Sequence, residues 1–272
     1  MTTAVLKPAH TTDFVGQLVF LGTGTSVGVP ALACGCDVCT GGHPKNQRTR
    51  CSVILGLPGG NLLIDTPPEL RLQLLREQIG IVHAVLFTHE HADHLFGLDD
   101  LRLFPFYTGC PVPLYCEPDV ERRIRTAYDY AFSDRGNRHP GATPQLTIES
   151  IGTDAFEVLG ETVRPLRLKH GEHFDVLGFR IGNVAYCTDT NEIPEESMAV
   201  LEGVDTLILD ALRYKPHTTH FCIDEAIEIS RRLGVRQTYL THMCHDIDHD
   251  ELSKQLPANV QPAYDGLRIP LC

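Results

Sequence analysis

The chain contains 272 residues, of which 42% are hydrophobic and 21% charged, and its formal net charge is −12. This composition is typical of a globular protein with ample apolar material for a core, and no apolar run approaches the roughly 20 residues that cross a bilayer, so we expect no membrane partner. Because 35 acidic residues outnumber 23 basic ones, we expect no nucleic-acid partner either, whereas a small anionic substrate is compatible.

The amino-terminal stretch over residues 1–13 lacks the apolar core of a secretory signal. In a chain of this size without such a leader, the ten cysteines are expected to be reduced thiols. We therefore expect a cytoplasmic protein, with residues 1–15 as a flexible tail and residues 16–272 as a single domain.

The first predicted strand covers residues 17–21 and ends in a glycine- and threonine-rich loop over 22–26. Glycine lets a backbone come close to a ligand, and it also serves in a simple tight turn. A dinucleotide-binding fingerprint is excluded, because no further glycine follows in register and no helix follows the loop. We take Thr25 of this loop as a candidate substrate-binding residue.

Three cysteines, Cys34, Cys36 and Cys39, follow within six residues. Three thiolates at this spacing can hold one face of a zinc ion, which then needs a fourth ligand. Buried structural thiols are a weaker interpretation, because the neighbouring residues are Gly, Asp and Thr. A redox pair lacks the thioredoxin-like strand and helix around it. The cluster therefore predicts a structural zinc site.

Two strands over 51–57 and 61–65 flank a Pro-Gly-Gly turn and predict a hairpin. Asp65 ends the second strand. It can cap the helix predicted over 69–78, or it can orient an imidazole that binds a metal. The sequence leaves these two alternatives open.

The predicted central strand, over 84–87, is apolar and leads into a polar turn that contains His89, His91, Asp93 and His94. On an extended segment His89 and His91 point the same way, whereas Asp93 and His94 lie past the bend, where a helix begins at about His94. Imidazoles and a carboxylate suit zinc, manganese or iron. The turn therefore predicts ligands for two metal ions rather than a solvated polar loop.

A strand over 112–116, an amphipathic helix over 118–132 and a polar loop over 133–145 come next, and His139 in this loop stays unassigned. Four further strands are predicted over 146–150, 155–158, 162–168 and 177–181. His170 lies just past the third of them and His173 is close behind. Either histidine can complete three imidazoles around one ion, and we favour His170 by its position.

Later strands deliver two more candidates. Asp189 follows a strand over 183–187, where a carboxylate can bridge two cations or cap the helix predicted over 194–201, and we favour the bridge. A strand over 237–240 leads to His242. Because α/β sheets build sites at the carboxyl ends of their strands, we expect one shared site. The alternating elements predict one domain of two packed sheets with helices outside.

The polar turn has the spacing His-x-His-x-Asp-His, which resembles the signature of the metallo-β-lactamase superfamily. The glycine loop, the cysteine cluster, the polar turn and the stretch over 241–245 occur in the same order in one of its subgroups, and the chain resembles the cyclic-phosphoribose phosphodiesterase of the carbon–phosphorus lyase pathway and its relatives. The resemblance implies an α/β fold, the four-layer αβ/βα sandwich with a structural zinc loop, and a homodimer.

The resemblance also implies a role for each candidate residue. One active-site metal would be held by three imidazoles, those of His89, His91 and His170. The other would be held by Asp93, His94 and His242, with Asp189 bridging the two ions. The structural zinc would take Cys34, Cys36, Cys39 and His245. His220 would contact the phosphate or protonate the leaving group, with His217 as the alternative.

The predicted activity follows from these assignments. We expect a hydrolase with two divalent ions, zinc or manganese, that share a hydroxide and cleave a small, in particular a cyclic, phosphodiester to a monoester. Asp93 and His220 are the predicted catalytic side chains, and His217, His220 and Thr25 the predicted substrate contacts. The rival predictions are a hydrolase of thioesters, lactones or lactams, and a zinc-stabilised carrier protein without catalytic activity.

Overall fold

The structure is a computed structural model that describes residue 11, residues 13–133 and residues 141–271. Most of the predicted tail and His139 lie outside the described residues. Phe14 is already packed in the core at 2% exposure, and Val15 forms a backbone bridge with Gly56. The chain therefore joins the fold before residue 16, and the division into a tail and a single domain stays a prediction.

The described residues form two sheets of seven strands each. The strands of the first sheet are β1 (Gln17–Gly22), β2 (Ser52–Leu57), β3 (Gly60–Ile64), β4 (Ala84–Leu86), β5 (Val112–Cys116), β6 (Leu146–Ser150) and β14 (Arg268–Pro270). Their order is β14-β1-β2-β3-β4-β5-β6. The strands from β3 to β6 run parallel to one another.

The strands of the second sheet are β7 (Phe156–Val158), β8 (Glu161–Lys169), β9 (Asp175–Ile181), β10 (Val184–Cys187), β11 (Thr206–Asp210), β12 (Gln237–Thr241) and β13 (Val260–Pro262). Their order is β13-β12-β11-β10-β9-β8-β7, and β10 to β13 are parallel. Both sheets therefore have a run of parallel strands whose carboxyl ends can carry a site.

The α-helices of the described residues are α1 (Asp37–Thr40), α2 (Leu70–Glu77), α3 (Ala92–Leu95), α4 (Phe104–Thr108), α5 (Pro118–Ala127), α6 (Asp129–Phe132), α7 (Glu195–Leu201), α8 (Ile223–Leu233) and α9 (His249–Gln255). Short 3-10 helices cover Pro44–Asn46 and Leu98–Leu103. Within the described ranges, none of the helices combines the length and the apolarity needed to cross a bilayer.

The apolar side chains of the strands alternate between two interfaces. In β2, Val53 and Leu55 pack between the two sheets, while Ile54 packs toward the helices of the first sheet. A third apolar cluster lies between the second sheet and its own helices, around Leu209 and Met198. The layers are therefore helix, sheet, sheet and helix, which confirms the predicted four-layer αβ/βα sandwich.

Three details differ from the sequence-based expectations. The helix predicted over 118–132 is interrupted at Tyr128, whose backbone is not helical. The buried Tyr128 hydroxyl donates a hydrogen bond to the Leu95 carbonyl. The helix expected from about His94 starts at Ala92 and ends at Leu95. The predicted strands and helices form two successive series along the chain, 17–132 and 146–271, yet β6 and β14 of the second series join the first sheet, where β6 pairs parallel with β5 and β14 pairs antiparallel with β1.

Candidate metal centre

The turn after β4 places its four polar side chains in two directions. His91 precedes α3 with an extended backbone, so His89 and His91 stay together, and their Nε2 and Nδ1 atoms are 2.9 Å apart. Asp93 and His94 belong to α3 and turn the other way, with His94 Nε2 3.3 Å from an Asp93 oxygen. The predicted split of the motif into two pairs is therefore present in the geometry.

Two groups of ligand atoms result, and in each of them all atoms lie within 4.8 Å of one another. The first ligand group consists of His89, His91, His170 and Asp189. The second ligand group consists of Asp93, His94, His242 and Asp189. The structure thus brings together the seven residues that sequence reasoning chose, in the division that the resemblance implies, with Asp189 common to both groups.

Asp189 lies between the two groups. One of its carboxylate oxygens is 3.7 Å from His89 Nε2, and the other is 3.3 Å from His94 Nε2 and 3.4 Å from His242 Nε2. It does not cap the following helix, because α7 begins after Pro194. The carboxylate is therefore positioned to face two cations at once, while its role as a bridging ligand remains a prediction.

Asp65 fixes the turn after β4 through hydrogen bonds with Thr88 and His94. Its two oxygens accept hydrogen bonds from the backbone N–H and the hydroxyl of Thr88, both at 2.8 Å, and from His94 Nδ1 at 2.7 Å. The helix-cap alternative is wrong, since α2 follows Glu69 instead. By fixing Nδ1, Asp65 directs the Nε2 atom of His94 into the second ligand group.

The site is built to attract positive charge. Burial opposes protonation of His94, but the carboxylates of Asp189, Asp93 and Asp65 outweigh it and raise the pKa of His94 well above its usual value. In the same way, burial is overcome by Asp189 and Asp93, and the pKa of His242 is raised to about 9. For His89, burial and the nearby His94 lower the pKa well below the usual value.

A divalent cation fits this donor set. His94 Nε2 and His242 Nε2 are buried, and within the described ranges neither has a hydrogen-bond partner. Buried polar nitrogens without partners are costly unless something else coordinates them. Imidazoles combined with carboxylates are the ligands that zinc, manganese and iron take in proteins. Both ligand groups therefore have the donor atoms expected of metal sites; the second group holds the two buried nitrogens without partners, and in the first group His91 is exposed while the other three residues are buried.

The Asp210 carboxylate orients a further imidazole beside the ligand groups. Its Oδ2 accepts a 2.6 Å hydrogen bond from His220 Nδ1, and the ring of His220 stacks on that of His242 with centroids 4.6 Å apart. The sequence shows Asp210 directly after a predicted strand over 204–209 but indicates no role for it. This position at a strand end, which Asp65 and Asp189 also have, was the sequence signal that could have identified Asp210 as a residue of the site.

The remaining candidates differ in how close they come to the ligand groups. His170 is buried, with Nδ1 2.8 Å from the Thr219 carbonyl, whereas the side chain of His173 is 86% exposed. His217 is half-buried, with its ring centroid 5.3 Å from that of His220. Thr25 is buried, and its amide donates to the Met243 carbonyl, so its proposed contact with substrate stays a prediction.

The predicted structural zinc residues also converge. The Sγ atoms of Cys34 and Cys36 are each 3.4 Å from His245 Nδ1, and Cys39 completes a group within 4.8 Å. The hydrogen bond from His245 lowers the pKa of Cys36 to about 6, which favours a thiolate. Three cysteines and one histidine at this separation are compatible with a closed tetrahedral zinc site.

One loop after β12 connects the two kinds of site, since it carries both His242 and His245. Its Met243 exchanges backbone hydrogen bonds with Thr23 and Thr25 of the glycine loop. A Cβ atom on Gly22 would lie 1.9 Å from the Arg50 carbonyl oxygen, so this glycine is needed for a close approach to the protein's own backbone. The glycine loop therefore supports the metal-binding loop.

A buried arginine fixes the same loop from the other side. Arg48 is 1% exposed, and its guanidinium donates to the carbonyls of Cys244 and Ile247 and to the Asn46 side chain. Burial lowers its pKa to about 10. The carbonyl oxygens of Cys244 and Ile247 therefore have hydrogen-bond partners within the protein.

Comparison with known proteins agrees with this geometry. A family model described as "Beta-lactamase superfamily domain" matches residues 60–243. Among solved structures, the crystal structure of a new diphosphatase from the PhnP family is 41% identical, and the match covers 93% of this chain and 96% of that chain with a TM-score of 0.86.

Two relatives that are similar in sequence have names that do not refer to a diphosphatase. An octanoyltransferase of Porphyromonas gingivalis is 38% identical over 255 residues, which is 92% of this chain but 51% of that protein, so the chain spans about half the length of this relative. Coenzyme PQQ synthesis protein B of Methylorubrum populi is 26% identical over 225 residues, 71% of this chain and 72% of that protein. With the family model covering more than half of the sequence and the fold and motif in agreement, the chain belongs to the metallo-β-lactamase superfamily of hydrolases.

Proposed function

We propose that the chain is a metal-dependent phosphodiesterase that uses two divalent cations to hydrolyse a small phosphodiester, in particular a cyclic one, to a phosphomonoester. The observation that carries the proposal is the pair of ligand groups that share Asp189 beside the imidazole of His220. Two-metal sites of this kind serve in-line displacement at phosphorus. The 41% identity to a PhnP-family diphosphatase supports a reaction at phosphorus.

The side chains of the two ligand groups would hold the ions, and Asp189 would offset charge from both. When bound, such ions acidify a coordinated water from a pKa of about 15.7 toward about 7 and act as Lewis acids toward phosphoryl oxygens. The remaining work belongs to the protein, which has to orient the substrate and supply a proton to the leaving oxygen.

His220 is suited to that task. Asp210 occupies its Nδ1, so Nε2 is the nitrogen available to a substrate. The ring lies between His170 and His242, with centroids 4.8 and 4.6 Å away, and so between residues of the two ligand groups. In its protonated form, with the Nδ1–H group held by Asp210, His220 can donate from Nε2 to a phosphoryl oxygen or protonate the departing alkoxide.

The test is a substrate panel on protein loaded with manganese or with zinc. It contains 2′,3′-cyclic nucleotides, bis(p-nitrophenyl) phosphate, a dinucleoside diphosphate and a thioester. We expect hydrolysis of the cyclic and linear phosphodiesters, and release of a phosphomonoester from the cyclic ones. Turnover confined to the thioester would overturn the proposal.

A second candidate is hydrolysis of a diphosphate bond, which the name of the 41% identical structure favours. The same ligand groups can serve attack on a P–O–P linkage, because the displacement is again in line at phosphorus. Preferential turnover of the dinucleoside diphosphate would select this candidate over the phosphodiesterase.

Metal analysis separates these enzymes from the remaining alternative, a zinc-stabilised carrier protein without catalytic activity. A carrier with only the cysteine site would retain one zinc per chain. The phosphodiesterase would bind up to two further, exchangeable ions. We also propose a cytoplasmic homodimer, which sedimentation equilibrium can test.

A further inference from the structure

An open cleft of about 500 Å³ lies beside the first ligand group. Its walls come from the turn after β4, from the start of α5, and from β8 and the loop before β9. His89 belongs both to the cleft and to the first ligand group, so the cleft opens next to the proposed reaction centre. A space of this size fits the non-reacting portion of a small substrate.

The cleft has one lysine or arginine among its described lining residues, Arg167. Both terminal nitrogens of Arg167 donate to Glu117, Nη1 to Oε2 and Nη2 to Oε1, each at 2.6 Å. The pair is partly shielded from water, with side chains 28% and 21% exposed. Such a two-pronged pair uses the face of the guanidinium that would otherwise bind a phosphate.

Of the remaining ionisable side chains that line the cleft, Glu90, Asp119 and Asp175 are acidic, and His173 is an imidazole whose side chain is 86% exposed and points its ring nitrogen toward Glu172, 3.8 Å away. Asp119 pairs with Arg122, and Asp175 pairs with Lys169, but these two cations do not line the cleft. Arg122 instead lines, together with Arg123, a smaller groove of about 240 Å³ that adjoins the cleft at Glu90 and Asp119. Apart from the exposed His173 at its mouth, the cleft would therefore present a second phosphate with carboxylates and a neutralised arginine.

The apolar part of the wall offers a surface for an uncharged group. Phe174 stacks on His91 with centroids 5.0 Å apart and an interplanar angle of 17°, and Pro118 and Val120 lie on the wall formed by α5. Rings and aliphatic faces can pack against such side chains, while hydroxyl groups can donate to the carboxylates.

We propose that Glu117 is a specificity-determining residue that keeps Arg167 from binding phosphate, so that the cleft receives an uncharged, hydroxylated portion of the substrate and rejects a second phosphate. The inference rests on the proposed function for the identity of the reacting group. It deepens that function by defining the substrate class as a phosphodiester with a single phosphoryl group and a neutral body.

The test compares two ligands that differ by one phosphate, adenosine 5′-monophosphate and adenosine 3′,5′-bisphosphate, by calorimetric titration of the manganese-loaded protein. The wild type should bind the monophosphate at least as tightly as the bisphosphate. Glu117→Gln frees Arg167 and should improve the affinity for the bisphosphate, relative to the monophosphate, by about tenfold, the effect of one charge-assisted contact. Adding Arg167→Met to that variant should cancel the gain.

The matched control is Glu121→Gln. Glu121 accepts a hydrogen bond from Arg125 at 2.7 Å on the exposed face of α5, so the substitution makes the same charge change on the same helix outside the cleft. It should leave the ratio of the two affinities unchanged. A gain equal to that of Glu117→Gln would mean that overall charge decides, and would overturn the inference.

A single substitution covers the case in which Glu117→Gln fails to fold. Arg167→Met leaves Glu117 unpaired in the cleft and should disfavour the bisphosphate further; weaker discrimination in this variant would overturn the inference. So would tighter binding of the bisphosphate than of the monophosphate by the wild type. Equilibrium binding needs no turnover, so a protein without phosphodiesterase activity refutes the proposed function while the titrations still decide the role of Glu117.

Discussion

Three residues of the site have an energetically unfavourable, left-handed backbone conformation: Asp65, Asp189 and His242, with φ of 65°, 54° and 58°. A non-glycine residue in this region loses about 1–3 kcal/mol. The conformation persists because each side chain is held by its surroundings, as Asp65 is by Thr88 and His94. The fold therefore gives up stability to point these three groups toward one place.

Two substitutions of Asp189 can separate the effect of its negative charge from the effect of its left-handed backbone conformation. Asparagine tolerates the left-handed region and has nearly the same size, so Asp189→Asn removes the charge alone. We expect this variant to lose the active-site ions and at least about a hundredfold in kcat, while the cysteine site keeps its zinc. Elemental analysis and steady-state kinetics measure both.

Asp189→Ala is the companion to that variant. It should lose the same ions and be less stable than Asp189→Asn by about 1 kcal/mol, because a positive φ costs alanine more free energy than it costs asparagine. Full turnover by Asp189→Asn with normal metal content would contradict the bridging role.

Asp210→Asn tests the orientation of His220. An amide in place of the carboxylate no longer fixes the tautomer or the orientation of the ring, so we expect kcat to fall about 10- to 100-fold with little change in KM. Steady-state kinetics measures both constants. An unchanged kcat would show that His220 acts without Asp210.

His249 should make stability depend on pH. It is 4% exposed, and burial, followed by the nearby charges of Lys45 and Arg48, lowers its pKa to about 4. The unfolded chain, with a pKa near 6.5, then binds more protons than the folded one between these values. The contribution of His249 to stability is therefore complete above about pH 6.5 and is lost as the pH falls toward 4, by about 2 kcal/mol between pH 7 and pH 5.

Urea unfolding at the two pH values measures this effect. His249→Gln should reduce the difference between pH 7 and pH 5 by about 2 kcal/mol. The control is His43→Gln, at a histidine whose side chain is 39% exposed beside Asp250. This control should leave the difference in place, and an equal loss in both variants would contradict the assignment to His249.

At the scale of elements, the short helix α3 depends on one close contact. Gly97 follows α3, and a Cβ atom there would lie 2.0 Å from the Pro67 carbonyl oxygen and 3.0 Å from Leu70 Cβ. Backbone atoms cannot yield as a flexible side chain can. The segment that carries Asp93 and His94 is therefore held at a distance from α2 that only glycine permits.

Gly97→Ala should destabilise the protein by about 1–3 kcal/mol, the usual cost of adding a methyl group to a tightly packed region. It should also weaken metal binding, because α3 must shift. The control is Gly152→Ala, where a Cβ atom meets nothing within 4 Å. Thermal unfolding with and without manganese measures both effects, and equal stabilities for the two variants would contradict the prediction.

The same elements show how far the sequence could lead. Apolar runs that end in polar residues predicted most strands to within one or two residues, and with them the positions of His89, Asp189 and His242. The pairing of β14 with β1 and the break at Tyr128 depend on distant contacts, which no local pattern contains. The link from Asp210 to His220 was missed for the same reason, since Asp210 ends β11 and His220 lies ten positions later, in the loop before α8.

At the scale of the whole molecule, the sandwich places the ends of parallel strands from both sheets at one edge. β4 leads to His89, β10 to Asp189 and β12 to His242, so each ligand group draws residues from both sheets. An ion bound there would join the two halves. The stability of the molecule should then respond to metal, because an ion that binds only the folded chain shifts the unfolding equilibrium.

Manganese titration of the chelator-treated protein should raise the unfolding temperature in steps. At a free concentration of about 100 times Kd, one site adds about 2.7 kcal/mol. Asp189→Asn is the matched control and should respond far less, while retaining its response to zinc at the cysteine site. An unfolding temperature insensitive to manganese in the wild type would contradict the presence of active-site ions.

The loop that holds both His242 and His245 has a thermodynamic consequence. An ion captured by the three cysteines and His245 would restrict the motion of His242, and this would lower the entropy that an ion in the second ligand group must remove when it binds. By reciprocity, filling the second ligand group would tighten binding at the cysteine site by the same factor. The two metal affinities would then be one coupled property of the chain, transmitted through the three peptide units between His242 and His245.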